Sequence, residues 1–209
     1  MHLDLVGSAG RLEALIDLPA GTPRAAAVLA HPHPDYGGTM RSRVVHEAAK
    51  ALTRIGVAVV RFNYRGVGLS DGVFTGGPAE IDDLHRALDT IEDRFPNAPL
   101  WAIGYSFGAW LAMSAGAADP QVAVLVGIAP PIGHYDFSAL LASSKPKYLV
   151  VAERDEVAPL KTVETFYAQL PEPRELVVIE GADHAFDGRA SEVGDAIDDL
   201  LGDFGDRLL

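Results

Sequence analysis

One serine lies between two glycines at a spacing that suits acyl-transfer chemistry. The pentapeptide Gly104-Tyr105-Ser106-Phe107-Gly108 has the Gly-x-Ser-x-Gly pattern of a sharp turn that exposes a serine hydroxyl. Glycines at both ends of such a turn avoid collisions with the neighbouring helix and strand, and the N-terminus of the following helix faces the oxygen that gains negative charge. A serine that only caps a helix fits the same residues. The surrounding elements must therefore decide whether Ser106 is a nucleophile or a cap.

Two later segments supply an acid and then a histidine, which is the chain order that accompanies a catalytic Gly-x-Ser-x-Gly turn between a strand and a helix. Asp155 follows the apolar run 148–152, and His184 follows the last such run, 176–179. The His184 imidazole would accept the Ser106 proton and return it to the leaving group, while the Asp155 carboxylate holds the required tautomer. The order of these residues favours the nucleophile over the cap.

Both assignments have competitors in the sequence. Asp155 lies just beyond a strand end, where this chain order places the acid, and is favoured over Glu153, Glu156 and Asp183. His184 is favoured because it lies in the loop after the last strand. The other histidines fall in the terminal strand, in helices, or in an earlier loop: His2, His46, His85 and His134.

The elements that position these residues alternate along the chain. Near-continuous apolar runs predict strands that are buried on both sides, at 25–30, 57–62, 100–103, 122–127, 148–152 and 176–179. Segments of helical periodicity lie between them, at 42–55, 78–95, 107–117, 160–170 and 190–209. The strand 100–103 and the helix 107–117 flank Ser106 as a nucleophile turn requires.

This alternation predicts an α/β fold with a mostly parallel central sheet and helices on both faces. Segments 3–6 and 11–18 flank Gly7-Ser8-Ala9-Gly10 and predict an N-terminal antiparallel hairpin. The 209 residues contain no internal repeat and no linker-like stretch, so we expect one domain over 1–209. The stretch between the strands 122–127 and 148–152 has roughly twenty residues, too few for a cap domain.

Composition restricts the partners. The net charge of −12 opposes binding to nucleic acid or to an anionic membrane surface, and the absence of cysteine excludes a cysteine nucleophile and thiolate metal sites. The N-terminus lacks the basic and apolar regions of a signal peptide, and no segment reaches the roughly 20 apolar residues that span a bilayer. We expect a cytoplasmic protein that acts on a small molecule.

Two further segments, each at the end of a predicted strand, add to the motifs around Ser106, Asp155 and His184. They are Ala30-His31-Pro32-His33-Pro34 with Tyr36-Gly37-Gly38-Thr39-Met40, and Arg61-Phe62-Asn63-Tyr64-Arg65-Gly66-Val67-Gly68-Leu69-Ser70. With the serine turn and the acid and histidine loops, they make the chain resemble the α/β-hydrolase superfamily, in particular the small lidless bacterial serine hydrolases related to dienelactone hydrolase. The resemblance spans nearly the whole chain and implies an enzyme that needs no cofactor.

The resemblance also implies two backbone N–H donors for the oxyanion. One is the N–H of Phe107, and the other comes from the loop after the strand 25–30. Within the Pro-His-Pro segment His33 is the available donor, because Pro32 and Pro34 have no N–H. His31 and His33 also have the spacing of a chelating pair, but no third ligand is evident and we predict no metal site.

The expected reaction is hydrolysis of small carboxylic esters through an acyl-serine intermediate in an open cleft. Tyr36, Tyr105 and Ile132 are the predicted substrate-contacting walls. Thioester, lactone or amide hydrolysis and perhydrolysis use the same residues and remain alternatives, as does a protein of this fold that binds a ligand without catalysis.

Overall fold

Eight strands form one sheet in the computed structural model, which describes residues 1–202. The strands are β1 (His2–Gly7), β2 (Gly10–Asp17), β3 (Ala25–Ala30), β4 (Val57–Phe62), β5 (Leu100–Tyr105), β6 (Val122–Ile128), β7 (Lys147–Ala152) and β8 (Arg174–Ile179). Their order across the sheet is β1-β2-β4-β3-β5-β6-β7-β8. The hairpin β1–β2 is antiparallel and joins β4 in antiparallel register, while β3 to β8 pair in parallel. The predicted sheet with its N-terminal hairpin is confirmed.

Helices cover both faces of this sheet. They are α1 (Arg43–Arg54), α2 (Pro78–Arg94), α3 (Phe107–Ala118), α4 (Ala139–Ala142), α5 (Leu160–Tyr167) and α6 (Ala190–Leu201). α1 and α6 pack together on one face, and α2 to α5 pack on the other. A hydrophobic core lies on each face of the sheet, and strand β3 contributes residues to both. Ala26 and Val28 face α2 and α3, while Ala27 and Leu29 face α1 and α6. Burial on both faces explains why the central strands are almost entirely apolar, with Arg61 in β4 and Lys147 in β7 as charged exceptions.

Several predicted boundaries shift in the structure. The helix predicted over 160–170 ends at Tyr167, and the helix predicted over 190–209 runs from Ala190 to Leu201, so the end of that prediction lies outside the described residues. A single 3₁₀ turn at Pro34–Tyr36 and the short helix α4 were not predicted. Elements of three or four residues are too short to show a helical period.

The prediction that the strand 176–179 is buried on both sides is wrong. Among the described residues, strand β8 pairs only with β7 and forms an edge of the sheet. Its residues are partly exposed except for Ile179, which is buried. An apolar run alone does not reveal whether a strand has one neighbour or two.

The connection between β6 and β7 determines how open the site is. It covers residues 129–146 and contains only the short helix α4, so no cap domain forms there. The predicted absence of a cap is confirmed. Within residues 1–202, no helix combines the length and the apolar character that crossing a membrane requires.

Candidate active site

Ser106 lies in a strained turn between β5 and α3. Strand β5 ends at Tyr105 and α3 begins at Phe107, and Ser106 between them has φ 54° and ψ −119°. A positive φ is costly for any residue with a side chain and is often found at functional sites. The Ser106 side chain makes no capping hydrogen bond to α3. This geometry argues against the cap interpretation of Ser106.

The two glycines of the turn are required by close backbone contacts. A Cβ at Gly104 would lie 2.0 Å from the Gly108 carbonyl oxygen. A Cβ at Gly108 would lie 2.4 Å from the Ala30 oxygen and 2.6 Å from the His31 oxygen. The start of α3 therefore packs directly against the end of β3 and the loop that follows it.

The strain at Ser106 leads to a stability prediction. Replacing Ser106 with glycine should give a protein that is about 1 kcal/mol more stable than the Ser106→Ala variant, because glycine relieves the strain of a positive φ but raises the entropy of the unfolded chain. Urea unfolding of the two variants measures the difference. An alanine variant as stable as the glycine variant would contradict the predicted strain.

Ser106, His184 and Asp155 form a hydrogen-bonded series. The Ser106 Oγ lies 2.8 Å from His184 Nε2, and His184 Nδ1 lies 2.7 Å from Asp155 Oδ2. The second oxygen of Asp155 accepts the N–H groups of Val157 and Ala158, each at 2.8 Å. The Asp155 side chain is 2% exposed, so these donors hold a buried carboxylate in one orientation.

The competing carboxylates point elsewhere. Glu153 accepts the Gly181 N–H at 2.7 Å, and Asp183 accepts the Asp187 N–H at 3.0 Å. Glu156 is exposed. Of the four acids weighed from the sequence, Asp155 is the one that the structure brings to His184.

Tyr105 has a role that sequence reasoning missed. Its hydroxyl donates to the backbone oxygen of His184 at 2.9 Å, which connects the residue before the nucleophile to the histidine loop. Burial, with a smaller effect from the Asp155 charge, raises the pKa of Tyr105, so the hydroxyl keeps its proton. The direction of a tyrosine hydroxyl depends on the tertiary fold, and no sequence signal indicated it.

The predicted wall residues differ in their surroundings. Tyr36 is 91% exposed, while Ile132 is 7% exposed and packs within the core. Tyr36 and Tyr105 line a cavity of about 170 Å³ beside the histidine loop. The other lining residues are Pro32, Gly37, Gly38, Ser42, Arg43, Val44 and Ala185. The cavity thus adjoins Ser106 and His184 through their chain neighbours, Tyr105 and Ala185.

The predicted oxyanion donors lie on adjacent elements. The His33 ring contacts the Phe107 ring with centroids 5.0 Å apart. The His33 carbonyl accepts the N–H groups of Tyr36 and Gly38, each at 3.1 Å. Within residues 1–202 the N–H groups of His33 and Phe107 have no acceptor.

His31 and His33 do not form a chelating pair. The His31 side chain is buried and directs one ring nitrogen to the Pro32 oxygen and the other to the Tyr64 N–H. His33 Nδ1 accepts the Asp35 N–H at 3.2 Å. Among the described residues, no group of three histidine, aspartate or glutamate side chains is placed to hold a metal ion.

His31 gives a prediction for stability against pH. Burial lowers the pKa of His31 to about 3, whereas in the unfolded chain the ring binds a proton near pH 6.5. Between these pH values the unfolded chain holds more protons, so the free energy of unfolding falls as the pH falls. This group alone contributes a slope of about 1.4 kcal/mol per pH unit. Urea unfolding between pH 4 and 7 should show a steeper loss for wild type than for His31→Gln; equal slopes would contradict it.

Comparison with known proteins decides the family. The profile of the Hydrolase_4 family, described as serine aminopeptidase, S33, matches residues 21–143. The chain belongs to this family of α/β hydrolases. This α/β hydrolase is 34% identical to an uncharacterized protein of Rickettsia prowazekii, over 93% of this chain and 86% of the relative. The alignment covers nearly the full length of both proteins.

Two solved structures resemble this α/β hydrolase closely. An alpha-beta serine hydrolase homologue from Coxiella burnetii has a TM-score of 0.88 and 37% identity, over 94% of this chain and 95% of that chain. A serine hydrolase without lid from Xanthomonas campestris has a TM-score of 0.90 and 32% identity, over 98% of this chain and 94% of that chain. The predicted resemblance to small lidless α/β serine hydrolases is confirmed.

A partial match extends to a protein with a named activity. A thiohydrolase of Arthrinium phaeospermum is 31% identical over 135 residues, which cover 61% of this α/β hydrolase and 43% of the thiohydrolase. The chain therefore spans less than half the length of that relative.

Proposed function

We propose that this serine hydrolase cleaves small carboxylic esters through an acyl-enzyme intermediate at Ser106. The observation that carries the proposal is the series from the Ser106 Oγ to His184 at 2.8 Å and from His184 to Asp155 at 2.7 Å. A nucleophile hydrogen-bonded to a base, with the base held by a third group, is the arrangement that activates a serine hydroxyl.

In the first half-reaction the Ser106 Oγ attacks the carbonyl carbon of the ester. His184 Nε2 takes the hydroxyl proton as the new C–O bond forms. The N–H groups of His33 and Phe107 donate to the oxyanion of the tetrahedral intermediate. When the intermediate collapses, the bond to the leaving alkoxide breaks and His184 gives the proton to that oxygen.

In the second half-reaction water cleaves the acyl-enzyme. His184 Nε2 removes a proton from the water as its oxygen attacks the acyl carbon, and the same N–H groups stabilise the second oxyanion. The Ser106 oxygen leaves and recovers the proton from His184. The products are a carboxylic acid and a free serine hydroxyl.

Asp155 holds His184 in the tautomer that this cycle needs. The Asp155 Oδ2 accepts the Nδ1 proton of His184, which leaves the Nε2 lone pair directed at the Ser106 Oγ. The carboxylate also stabilises the imidazolium that forms in each half-reaction. The N–H groups of Val157 and Ala158 donate to Oδ1 and keep Oδ2 directed at His184.

The open site and the similarity to a thiohydrolase suggest which substrates to compare. Within residues 1–202 the connection between β6 and β7 forms no cap domain over Ser106, which supports a short acyl chain over a long one. A thioester is the second candidate, because part of the chain is similar to a thiohydrolase. Both substrates pass through the same acyl-enzyme and differ in the leaving group.

A matched pair of substrates tests the proposal. We expect p-nitrophenyl butyrate to release a burst of about one p-nitrophenol per active site, followed by steady turnover, in stopped-flow absorbance. The butyryl thioester of a simple thiol supplies the same acyl group. Turnover of the thioester with no cleavage of esters, across acyl chains from acetyl to octanoyl, would replace the ester proposal by a thiohydrolase.

A further inference from the structure

A buried histidine next to the proposed oxyanion loop takes no part in the mechanism described above. His31 follows β3 directly and is fully buried. Its Nδ1 lies 2.7 Å from the Pro32 carbonyl oxygen, and its Nε2 lies 3.3 Å from the Tyr64 backbone nitrogen. A carbonyl only accepts and a backbone N–H only donates, so the ring carries its proton on Nδ1.

The carbonyl that this ring holds belongs to the same peptide group as the His33 N–H. The chain has a cis peptide only at Glu172-Pro173 among the described residues, so the Pro32–His33 peptide is trans. In a planar trans peptide the C=O and the N–H point in opposite directions. A ring that fixes the Pro32 oxygen therefore also fixes the direction of the His33 N–H.

Neighbouring residues leave this peptide little freedom. A Cβ at Gly38 would lie 2.1 Å from the Pro32 oxygen, so the loop backbone packs against the carbonyl from a second side. The Tyr64 hydroxyl donates to the His31 backbone oxygen at 2.8 Å, and the two rings lie 4.0 Å apart. Tyr64, two residues beyond the end of β4, thus holds His31 by both its backbone oxygen and its ring.

We infer that His31 is a positioning residue of the oxyanion hole, whose Nδ1–H bond to Pro32 aims the His33 N–H at the substrate oxyanion. Tyr64 supports this role by holding the ring. The inference rests on the proposed function, because it assigns His31 to the donor that the ester mechanism uses. Misplacing such a donor by about 1 Å costs up to about 100-fold in rate.

Two substitutions separate the Nδ1 donor from the Nε2 acceptor. In His31→Asn the amide NH₂ takes the place of Nδ1 and can still donate to Pro32, whereas in His31→Gln the amide takes the place of Nε2 and contacts Tyr64. We expect His31→Gln to lower kcat by about 10- to 100-fold with KM nearly unchanged, and His31→Asn to keep most of the rate. An aryl trifluoromethyl ketone, which forms a tetrahedral adduct with serine, should lose affinity for His31→Gln by the same factor as kcat/KM.

Other outcomes overturn the inference. If kcat falls equally in the two variants, His31 only fills space. The same conclusion would follow if KM rises in His31→Gln while the affinity for the ketone stays unchanged. The exposed His46→Gln on α1 is the matched control and should behave as wild type. Failure of the proposed function itself looks different, since the wild-type protein would then not cleave p-nitrophenyl butyrate.

The tautomer gives a second test that does not depend on a variant that folds. Long-range ¹H–¹⁵N correlation spectra of the wild-type protein should show the His31 ring as neutral with its proton on Nδ1 at pH 7. A proton on Nε2 would place a lone pair against the Pro32 oxygen, and the inference would fail.

Discussion

Replacing Ser106 with alanine is expected to lower kcat for ester hydrolysis by about 10⁶-fold. Alanine has no oxygen to attack the carbonyl, and the water that must replace it gains neither the position nor the short contact that Ser106 makes with His184. Steady-state rates with p-nitrophenyl butyrate measure the loss, and the burst should vanish with it.

A second serine on the same helix provides the control. Ser114 lies in α3 and its hydroxyl donates to the Asp136 backbone oxygen, so Ser114→Ala should leave kcat within about twofold of wild type. Activity in Ser106→Ala above about one thousandth of wild type, in protein free of contaminating esterase, would contradict the nucleophile assignment.

Replacing Asp155 with asparagine is expected to lower kcat by about 10⁴-fold. The N–H groups of Val157 and Ala158 require an acceptor at Oδ1, so the asparagine oxygen takes that place and its NH₂ group faces His184 Nδ1. A donor there favours the His184 tautomer with the proton on Nε2. That tautomer cannot accept the Ser106 proton.

The circular dichroism spectrum and the KM of Asp155→Asn distinguish a wrong His184 tautomer from unfolding. Asp155→Asn should keep its circular dichroism spectrum and its KM, because the asparagine preserves the two backbone contacts. The nearby Glu153→Gln is the control, since the Glu153 carboxylate accepts the Gly181 N–H, whereas His184 Nδ1 bonds to Asp155. A larger loss in Glu153→Gln than in Asp155→Asn would mean that the acid is misassigned.

Much of the fold follows from the sequence because the central strands are buried on both faces. The strands predicted over 25–30 and 57–62 have the same bounds in the structure, since helices cover both sides and every position except Arg61 is apolar. Strand β8 was placed correctly but its burial was not, because an edge strand can be as apolar as a central one. The short helix α4 has too few residues to show any period.

Some residues of the candidate site could also be predicted from the sequence, and others could not. Ser106, Asp155 and His184 could be predicted from their order along the chain, since each follows a parallel strand. The carboxyl ends of parallel strands lie at one edge of the sheet, so the loops that carry these residues meet there. The contacts of Tyr105 and His31 were not predicted, since each is a hydrogen bond to a backbone oxygen whose direction depends on the folded loop. A side chain that hydrogen-bonds to a backbone oxygen has no partner residue type that a sequence pattern could reveal.

The central claim is that Ser106 becomes covalently acylated, and the most direct measurement is the site and stoichiometry of labelling by a fluorophosphonate. Intact-mass spectrometry of the labelled wild-type protein should show one added phosphonyl group per chain, and peptide mapping should place it on Ser106. The label should be absent from Ser106→Ala and present on Ser114→Ala. An unlabelled wild-type protein, or a phosphonyl group on any other residue, would contradict the account.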